Sequence, residues 1–509
     1  MSRGLRRRGT AAGWLLAGLA WLPLAPLRAE PVMTLSLRQA LQLALQRNAQ
    51  LRIAAADTAQ ADAAVAQASA AGMPRIRVDA GVTRSDDALS VLGMKLQQRR
   101  ATFSDFGAGQ FLQALNAGAS PLGLAPDNLN RPAATNDFHA GVQADLPIYT
   151  GGRLSGLREQ AREQLAAARA GEREARQRVV QQVVGAFDAV RSAQAFGAVA
   201  RQATQAAREE LQTASRLWRA GVVVRSDVLS AQVGLEDARL RASQADAAVQ
   251  QELDRLRVAL GLPQSTPLRL HGEVDVPMPE GDLRQWIPQA LAANPAIQAL
   301  RHRLQAAGGG VQAARAQLYP QIGAMASVDS HDAHAGFGAH SYTVAAQLRW
   351  DVFDGGVVHA QVDQALARRM RAQAQLDAAR QDLVAQIREA RRQALEAARA
   401  SDMRALAVSQ AAEAERIVRR RYADGVGTLV DWQQALTQLD RARAELVLAR
   451  HRLQLQRVAL RMALGRLSPD DLQPASPDAP ATPRPVAPRA VAPSPSPSPS
   501  PSQAAFSRP

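Results

Sequence analysis

The residues of this chain that could do chemistry are few, and their spacings complete no catalytic motif. Lys95 is the sole lysine and precedes Leu96, so there is no Gly-Lys-Ser/Thr phosphate loop. No Gly-x-Ser-x-Gly elbow and no His-Glu-x-x-His pair occurs. His331, His334 and His340 gather near Asp332 and could ligate a metal, but the flanking Gly and Ala favour a mobile surface loop. Gly308-Gly309-Gly310 interrupts a helical pattern with no basic residue after it, which favours a close helix contact or a weak point over a phosphate cradle. The chain has no cysteine, which excludes disulfides, Cys-type zinc sites and lipid attachment through an N-terminal cysteine. These residues describe a protein that is not an enzyme and uses no cofactor or metal.

Charge and composition narrow the class further. The net charge is +15, and five of those charges (Arg3, Arg6, Arg7, Arg8, Arg28) precede Glu30. The other arginines alternate with Glu, Asp and Gln, as in Glu172-Arg173-Glu174, which describes solvated helix faces and no nucleic-acid partner. The arginine-rich start, the apolar run from Ala11 to Leu27 and the small Ala29 match an export signal over residues 1–29, cleaved near Ala29. From Ser468 to residue 509 the composition turns to Pro, Ser and Ala, which cannot bury a core and reads as a disordered tail.

Between these ends the chain repeats itself. At a shift of 204 residues, Leu146-Pro147-Ile148-Tyr149-Thr150-Gly151-Gly152 falls on Trp350-Asp351-Val352-Phe353-Asp354-Gly355-Gly356. The same shift carries Trp218-Arg219-Ala220-Gly221 onto Tyr422-Ala423-Asp424-Gly425, and Ala259-Leu260-Gly261 onto Ala463-Leu464-Gly465. Upstream the shift is 246, pairing Asn48 with Asn294 and Pro74 with Pro320. The first copy therefore carries 42 extra residues, within about 85–136. The division is a first repeat over 30–275 and a second over 276–467.

Each copy holds two strictly alternating segments of roughly ten residues. The apolar sets are Ile76, Val78, Ala80 and Val82; Phe138 to Ile148 in steps of two; Ile322, Ala324, Ala326 and Val328; and Tyr342, Val344, Ala346, Leu348, Trp350 and Val352. Polar residues such as Gln143, Asp145, Ser327 and Gln347 lie between them. A soluble sheet would bury its apolar face, but the rest of the chain is polar helix with a stripe of its own. A barrel with Val142, Leu146, Val344 and Leu348 facing lipid needs no such cover. Four strands cannot close one, and open edges are forbidden in lipid, so several chains must contribute; three would supply twelve strands. After each Gly-Gly the period becomes helical and proline-free, over Arg153–Trp218 and Val357–Tyr422, each about 100 Å long. Shorter helices are expected over Leu35–Ala71, Ser226–Leu260, Leu283–Leu318 and Val430–Leu464, two of them matching one long one end to end. Leu229, Val233 and Leu240 belong to a coiled-coil-like apolar stripe.

The order helix, Pro, strand, loop, strand, Gly-Gly, long helix, Gly turn, Asp, helix, given twice, resembles the TolC-like outer membrane factors over residues 33–467. The turns 220–227 and 424–431 carry much of that resemblance. It implies a mainly α fold with a transmembrane β-barrel. Two tandem strand–helix repeats per chain would assemble as a homotrimer with a twelve-stranded barrel in the outer membrane and a long helical tunnel in the periplasm. It further implies an exit duct for an inner-membrane pump, joined through a periplasmic adaptor that touches the turns Gly221, Val222, Val223 and Gly425, Val426, Gly427. Phe103, Asp105, Phe106, Leu129, Asn130 and Pro132 fit a family variant, and that segment is expected outside the cell.

The resemblance also implies site residues. Asp431 matches an acidic ring that narrows the periplasmic end, and Gln434 stands where a second acid is usual. Tyr422 and Asp227 match one pair of a hydrogen-bonded latch. Ser226 matches the hydroxyl of another pair, whose arginine partner falls on Gly427. The plainer role for Asp227 and Asp431 is helix capping. The expected function is passage of drugs, metabolites or metal ions to the outside. The alternatives are an exit duct for type I protein secretion and a structural coiled-coil protein of the envelope, the last disfavoured by the alternating strands.

Overall fold

A computed structural model describes residues 32–468; the expected signal and all but the first residue of the expected tail lie outside the described residues. The first part of the chain runs β1 (Met33–Leu35), α1 (Leu37–Arg47), α2 (Ala49–Ala70), β2 (Arg75–Ser85), α3 (Ala88–Gln97), α4 (Ala108–Asn116), α5 (Asp127–Asn130), β3 (Thr135–Tyr149), α6 (Arg153–Arg219) and α7 (Arg225–Leu260). The second runs β4 (Leu268–Leu270), α8 (Leu283–Ala293), α9 (Pro295–Arg315), β5 (Gln321–Asp332), β6 (Ala339–Arg349), α10 (Val357–Ala423) and α11 (Leu429–Ala463). The extra segment of the first copy is the α3–α5 stretch between β2 and β3. It stands where the second copy has only the β5–β6 connection.

β2, β3, β5 and β6 form one antiparallel sheet in that order. Register places Val78, Val142, Val328 and Tyr342 in one row, and Ile76, Ala144, Ala326 and Val344 in the next. This apolar face is exposed: Val78, Val142, Val328, Tyr342, Val344 and Leu348 are all open; on the polar face Asp137 and Gly141 are buried, while Arg77, Asp79, Thr343 and Gln347 on the outer strands are open as well. A water-soluble sheet would cover that apolar face. Register slips between Pro147 and Tyr149, where proline has no amide to give to the ladder. β6 stops at Arg349, so Trp350 and Val352, expected as its last apolar residues, lie beyond the ladder. Trp350 donates its indole N–H to the Leu318 carbonyl instead (3.2 Å).

The strands pass into the long helices through two successive left-handed residues, Gly151-Gly152 (φ +63° and +90°) and Gly355-Gly356 (φ +67° and +89°). A side chain at Gly151 would put its Cβ 2.4 Å from the Ala316 carbonyl oxygen. α6 and α10 each run 67 residues, about 100 Å.

The shorter helices break where the sequence suggested continuity. Leu35 belongs to β1, which pairs in parallel with β4, a two-stranded element not foreseen. Asn48 and Asn294 each divide an expected single helix. Each caps the helix that follows, through the amides of Gln50 and Ala296 respectively. Each also donates its side-chain amide to a distant helix end: Asn48 to Ala259 O (2.9 Å) and Asn294 to Ala463 O (3.4 Å). Gly261 and Gly465, both at φ +69°, turn the chain against these joints. Thus α7 meets α2, and α11 meets α9, end to end, and the two copies solve the joint identically.

The two largest cores form a belt at these joints, and smaller clusters lie at Ala207, Leu235 and Ala238 and at Tyr422, Leu429 and Trp432. Val180, Val183, Val184 and Phe187 of α6 pack with Leu41 of α1, Leu256 and Leu260 of α7, Val276 and Val458. Leu376, Leu383 and Ile387 of α10 pack with Trp286, Ile297 and Leu460. Outside these clusters, Leu229, Val233 and Leu240 on α7, and Met370, Met403 and Leu406 on α10, are exposed in the single chain.

Gly309 answers the question raised by the Gly308–Gly310 run. It sits at a backbone-to-backbone crossing of α9 and α6, where a Cβ would lie 2.7 Å from Gly156 O. Gly309→Val is expected to lower the thermal unfolding midpoint, reflecting an overpacking cost of about 1–3 kcal/mol. Gly308→Ala, with nothing within 4 Å of its Cβ, is expected to hold or raise it. Equal effects in the two variants would contradict the close approach.

Candidate functional site

At the end away from the sheet, α6–α7 and α10–α11 turn through two matching loops. α6 ends with Gly221 at φ +76°, its amide on Trp218 O (2.9 Å) and that of Val222 on Leu217 O (2.9 Å). α10 ends in the same way: Gly425 at φ +76°, its amide on Tyr422 O (3.0 Å), and the amides of Val426 and Gly427 on Arg421 O (3.0 and 3.1 Å). The two tips adjoin, since a Cβ on Gly425 would lie 3.3 Å from Val222 Cγ1. Val222, Val224, Val426 and Val430 are exposed there, while Val223 is half-buried. At Gly427 a Cβ would meet the Tyr422 nitrogen at 3.2 Å, so the turn leaves little room for a side chain at that position.

The caps of the two tips differ. Thr428 caps α11, its hydroxyl accepting from the Asp431 amide (3.1 Å). Asp431 is therefore in the first turn and is not the cap; its carboxylate is exposed and makes no hydrogen bond or ion pair among the described residues. Gln434, one turn on, is exposed as well. α7 starts at Val224 with no side-chain cap; Asp227 is half-buried in its first turn, and Ser226 is exposed.

Tyr422 is buried among Leu217, Val223, Val418, Leu429, Trp432 and Leu436, its ring 5.4 Å from that of Trp432. Its hydroxyl has no hydrogen-bond partner among the described residues. Burial, with the negative charges of Asp227 and Glu210, pushes its pKa up to about 12. Asp227 is thus near enough to act on the phenol but does not bond to it in this conformation.

Behind the tips lies an acidic layer that sequence reasoning missed. Glu210 of α6 is buried and accepts from Gln433 Nε2 of α11 (2.7 Å). Glu415 of α10 accepts from the Trp432 indole (3.0 Å), and Arg419 lies 3.4 Å from Glu209. Burial also raises Asp440 above the usual carboxylate range, partly offset by Arg443 and Arg241. One signal was available: Glu210 falls on the buried alanine stripe of Ala207 and Ala214, spaced by three and four.

At the other end, the polar face of the sheet collects charge. His331 lies within β5, not in the loop expected from sequence; it bonds through Nδ1 to Asp137 (2.8 Å) and its ring lies 5.1 Å from that of His139. His340 is in β6, and only His334 is in the connection. His139 is 3.1 Å from Asp79. Among the described residues no group of three or more His, Cys, Asp or Glu is arranged to hold a metal.

Comparison with known proteins gives consistent results. A family model described as outer membrane efflux protein matches residues 40–262 and 286–466. Protein CyaE of Bordetella pertussis is 30% identical over 302 residues, covering 56% of this chain and 62% of CyaE. The probable efflux pump outer membrane protein TtgC of Pseudomonas putida is 27% identical over 290 residues, covering 54% and 58%. The chain thus aligns with less than two thirds of each of these relatives. Among solved structures, a membrane protein from Pseudomonas aeruginosa superposes with a TM-score of 0.70 at 21% identity, covering 84% of this chain and 90% of that one.

The buried glutamate gives these tips a pH dependence. Burial raises the Glu210 pKa above its ordinary value, and the Gln433 hydrogen bond offsets part of the rise. The folded state therefore holds this proton more tightly than the unfolded chain does. That contribution is complete below the ordinary glutamate range and is lost as pH rises through the raised value. Thermal unfolding followed from about pH 4 to pH 8 should show this loss, and Glu210→Gln should flatten it. An unchanged pH slope in Glu210→Gln would contradict the assignment.

Proposed function

The chain belongs to the outer membrane efflux protein family, and on that premise we propose that it is the outer-membrane channel of a tripartite export system. Three copies form a twelve-stranded barrel continued by a helical tunnel. Small molecules pass out through it from an inner-membrane pump and a periplasmic adaptor. One observation carries this reading: a four-stranded sheet whose apolar face is exposed and whose outer edges, on β2 and β6, are unpaired among the described residues. Lipid can cover the face, and neighbouring copies can pair the edges. The exposed stripes of α7 and α10 support the same assembly, because they need partners that the single chain lacks. The efflux role is supported by relatives such as TtgC, named as an efflux pump outer membrane protein.

The adaptor contacts the paired tips at Gly221, Val222, Val223 and Gly425, Val426, Gly427. Their apolar exposure supports that use, since valines on a helix-turn tip offer area without a desolvation cost. Asp431 rings the throat, with Gln434 neutral beside it. Thr428 already caps α11, which leaves the exposed Asp431 carboxylate available to ions. Tyr422 and Asp227 act as the latch: the unpaired phenol is a donor from which the Asp227 carboxylate can accept as the tips close.

Planar-bilayer recording of the full chain tests this. Wild type should conduct with a cation preference, and Asp431→Asn should weaken both that preference and block by divalent cations. Unchanged selectivity together with a lowered unfolding temperature would make Asp431 a helix-start residue only.

A further inference from the structure

The segment 86–134 is not a slack connection. α3 rests against β3, and α5 against α3 and the turn 103–106. Lys95 pairs with Asp105 (2.5 Å), whose other oxygen accepts from the amide and hydroxyl of Thr102 (2.7 and 2.8 Å). Asn128 donates to Ser104 O (3.1 Å), and Gln110 accepts from the Asp127 amide (2.9 Å). The chain's only lysine is therefore spent on holding this segment in one shape.

Its attachment to the sheet is specific in face and in span. Gln98, the buried C-cap of α3, donates to Asn136 O and to Asp137 Oδ1, both at 2.8 Å. Asp137 alternates with His139, Gly141 and Gln143, so it lies on the polar face, where its other oxygen meets His331. Arg99 follows at φ +53°, the only positive φ outside glycine among the described residues. That strained turn sends its guanidinium to His340 O on β6 (2.7 Å). A segment that leaves the sheet at β2 is thus tied down at β6, the opposite edge, about 14 Å away by strand spacing. It reaches both edges at which copies must join.

Val91 and Met94 are buried, but other apolar side chains of the segment have no cover in the single chain. Phe103 is 87% and Leu122 94% exposed, and Leu89, Leu112 and Leu115 are open too. The lipid that covers Val78 and Val142 lies on the other face of the sheet. We propose that segment 86–134 is a lid over the outer mouth of the barrel, and that the lids of three copies meet through these apolar side chains and narrow the exit. The proposal rests on the channel reading. The occupant of the apolar surface is the same segment of the neighbouring copies, because the segment is anchored on the water-filled face and spans to both subunit edges.

The absence of cysteine makes the test clean. Leu122→Cys and, separately, Phe103→Cys are made in the full chain, and the extracted assemblies are oxidised. Covalently linked copies are expected, with conductance lower in the oxidised state than after reduction. Gln98→Ala and Arg99→Ala, which free the anchors, should raise single-channel conductance roughly twofold. Assemblies that conduct but neither cross-link at Leu122 or Phe103 nor gain conductance on freeing the anchors would overturn the lid and leave the channel intact. Spin labels at Leu122 that report lipid would overturn it as well, assigning the apolar surface to the outer leaflet. Cysteine variants that cross-link, alongside a wild-type chain that never conducts, would instead overturn the channel reading, and the lid with it.

Discussion

A backbone N–H or C=O left without a partner in hydrocarbon costs several kcal/mol, and the sheet carries a row of such groups along the outer edges of β2 and β6. Water could satisfy those rows, but the exposed face beside them bears Val78, Val142, Val328 and Tyr342 and calls for lipid. Both demands are met together when β2 of one copy pairs with β6 of the next. The rest of the molecule is consistent with that closure. The apolar residues left open on α10 sit on the helix that continues from β6, and those on α7 sit on a helix packed along α6, which continues from β3, so copies joined at the sheet are brought together along these helices.

A tube wall of this length needs helices that stay in register, and two asparagines provide the means. Asn48 and Asn294 each start one helix and hold the end of another, so that a pair of short helices lines up beside a long one. The Gly156–Gly309 crossing brings α6 and α9 into backbone contact just below the sheet. At the far end the two repeats diverge. The first tip lacks a capping side chain, while the second has Thr428; Trp218 is partly exposed, while its equivalent Tyr422 is buried against Trp432. The chain thus uses one design for the joints, where both copies do the same task, and two designs for the tips.

Much of this was legible in the sequence because it is encoded locally. The Gly-Gly exits, the alternating strands and the bounds of α6 and α10 follow from residue periodicity and from glycine's freedom at positive φ. What escaped notice depends on distant partners. The breaks at Asn48 and Asn294 make sense only with Ala259 and Ala463 beside them, and β1 exists only through β4. Glu210 and Gln433 are 223 residues apart, so the buried link behind the tips had no local signature beyond a misplaced acid on an alanine stripe. His331 was assigned to a loop because the alternation of β5 was followed only as far as Asp329, although the ladder continues to Asp332.

The account stands on the number of copies that close the sheet. Native mass spectrometry of the full chain, extracted in mild detergent without cross-linking, measures that number directly. The account predicts a single assembly of three chains that persists until the barrel unfolds. A stable monomer, or an assembly of two or four chains, would contradict it.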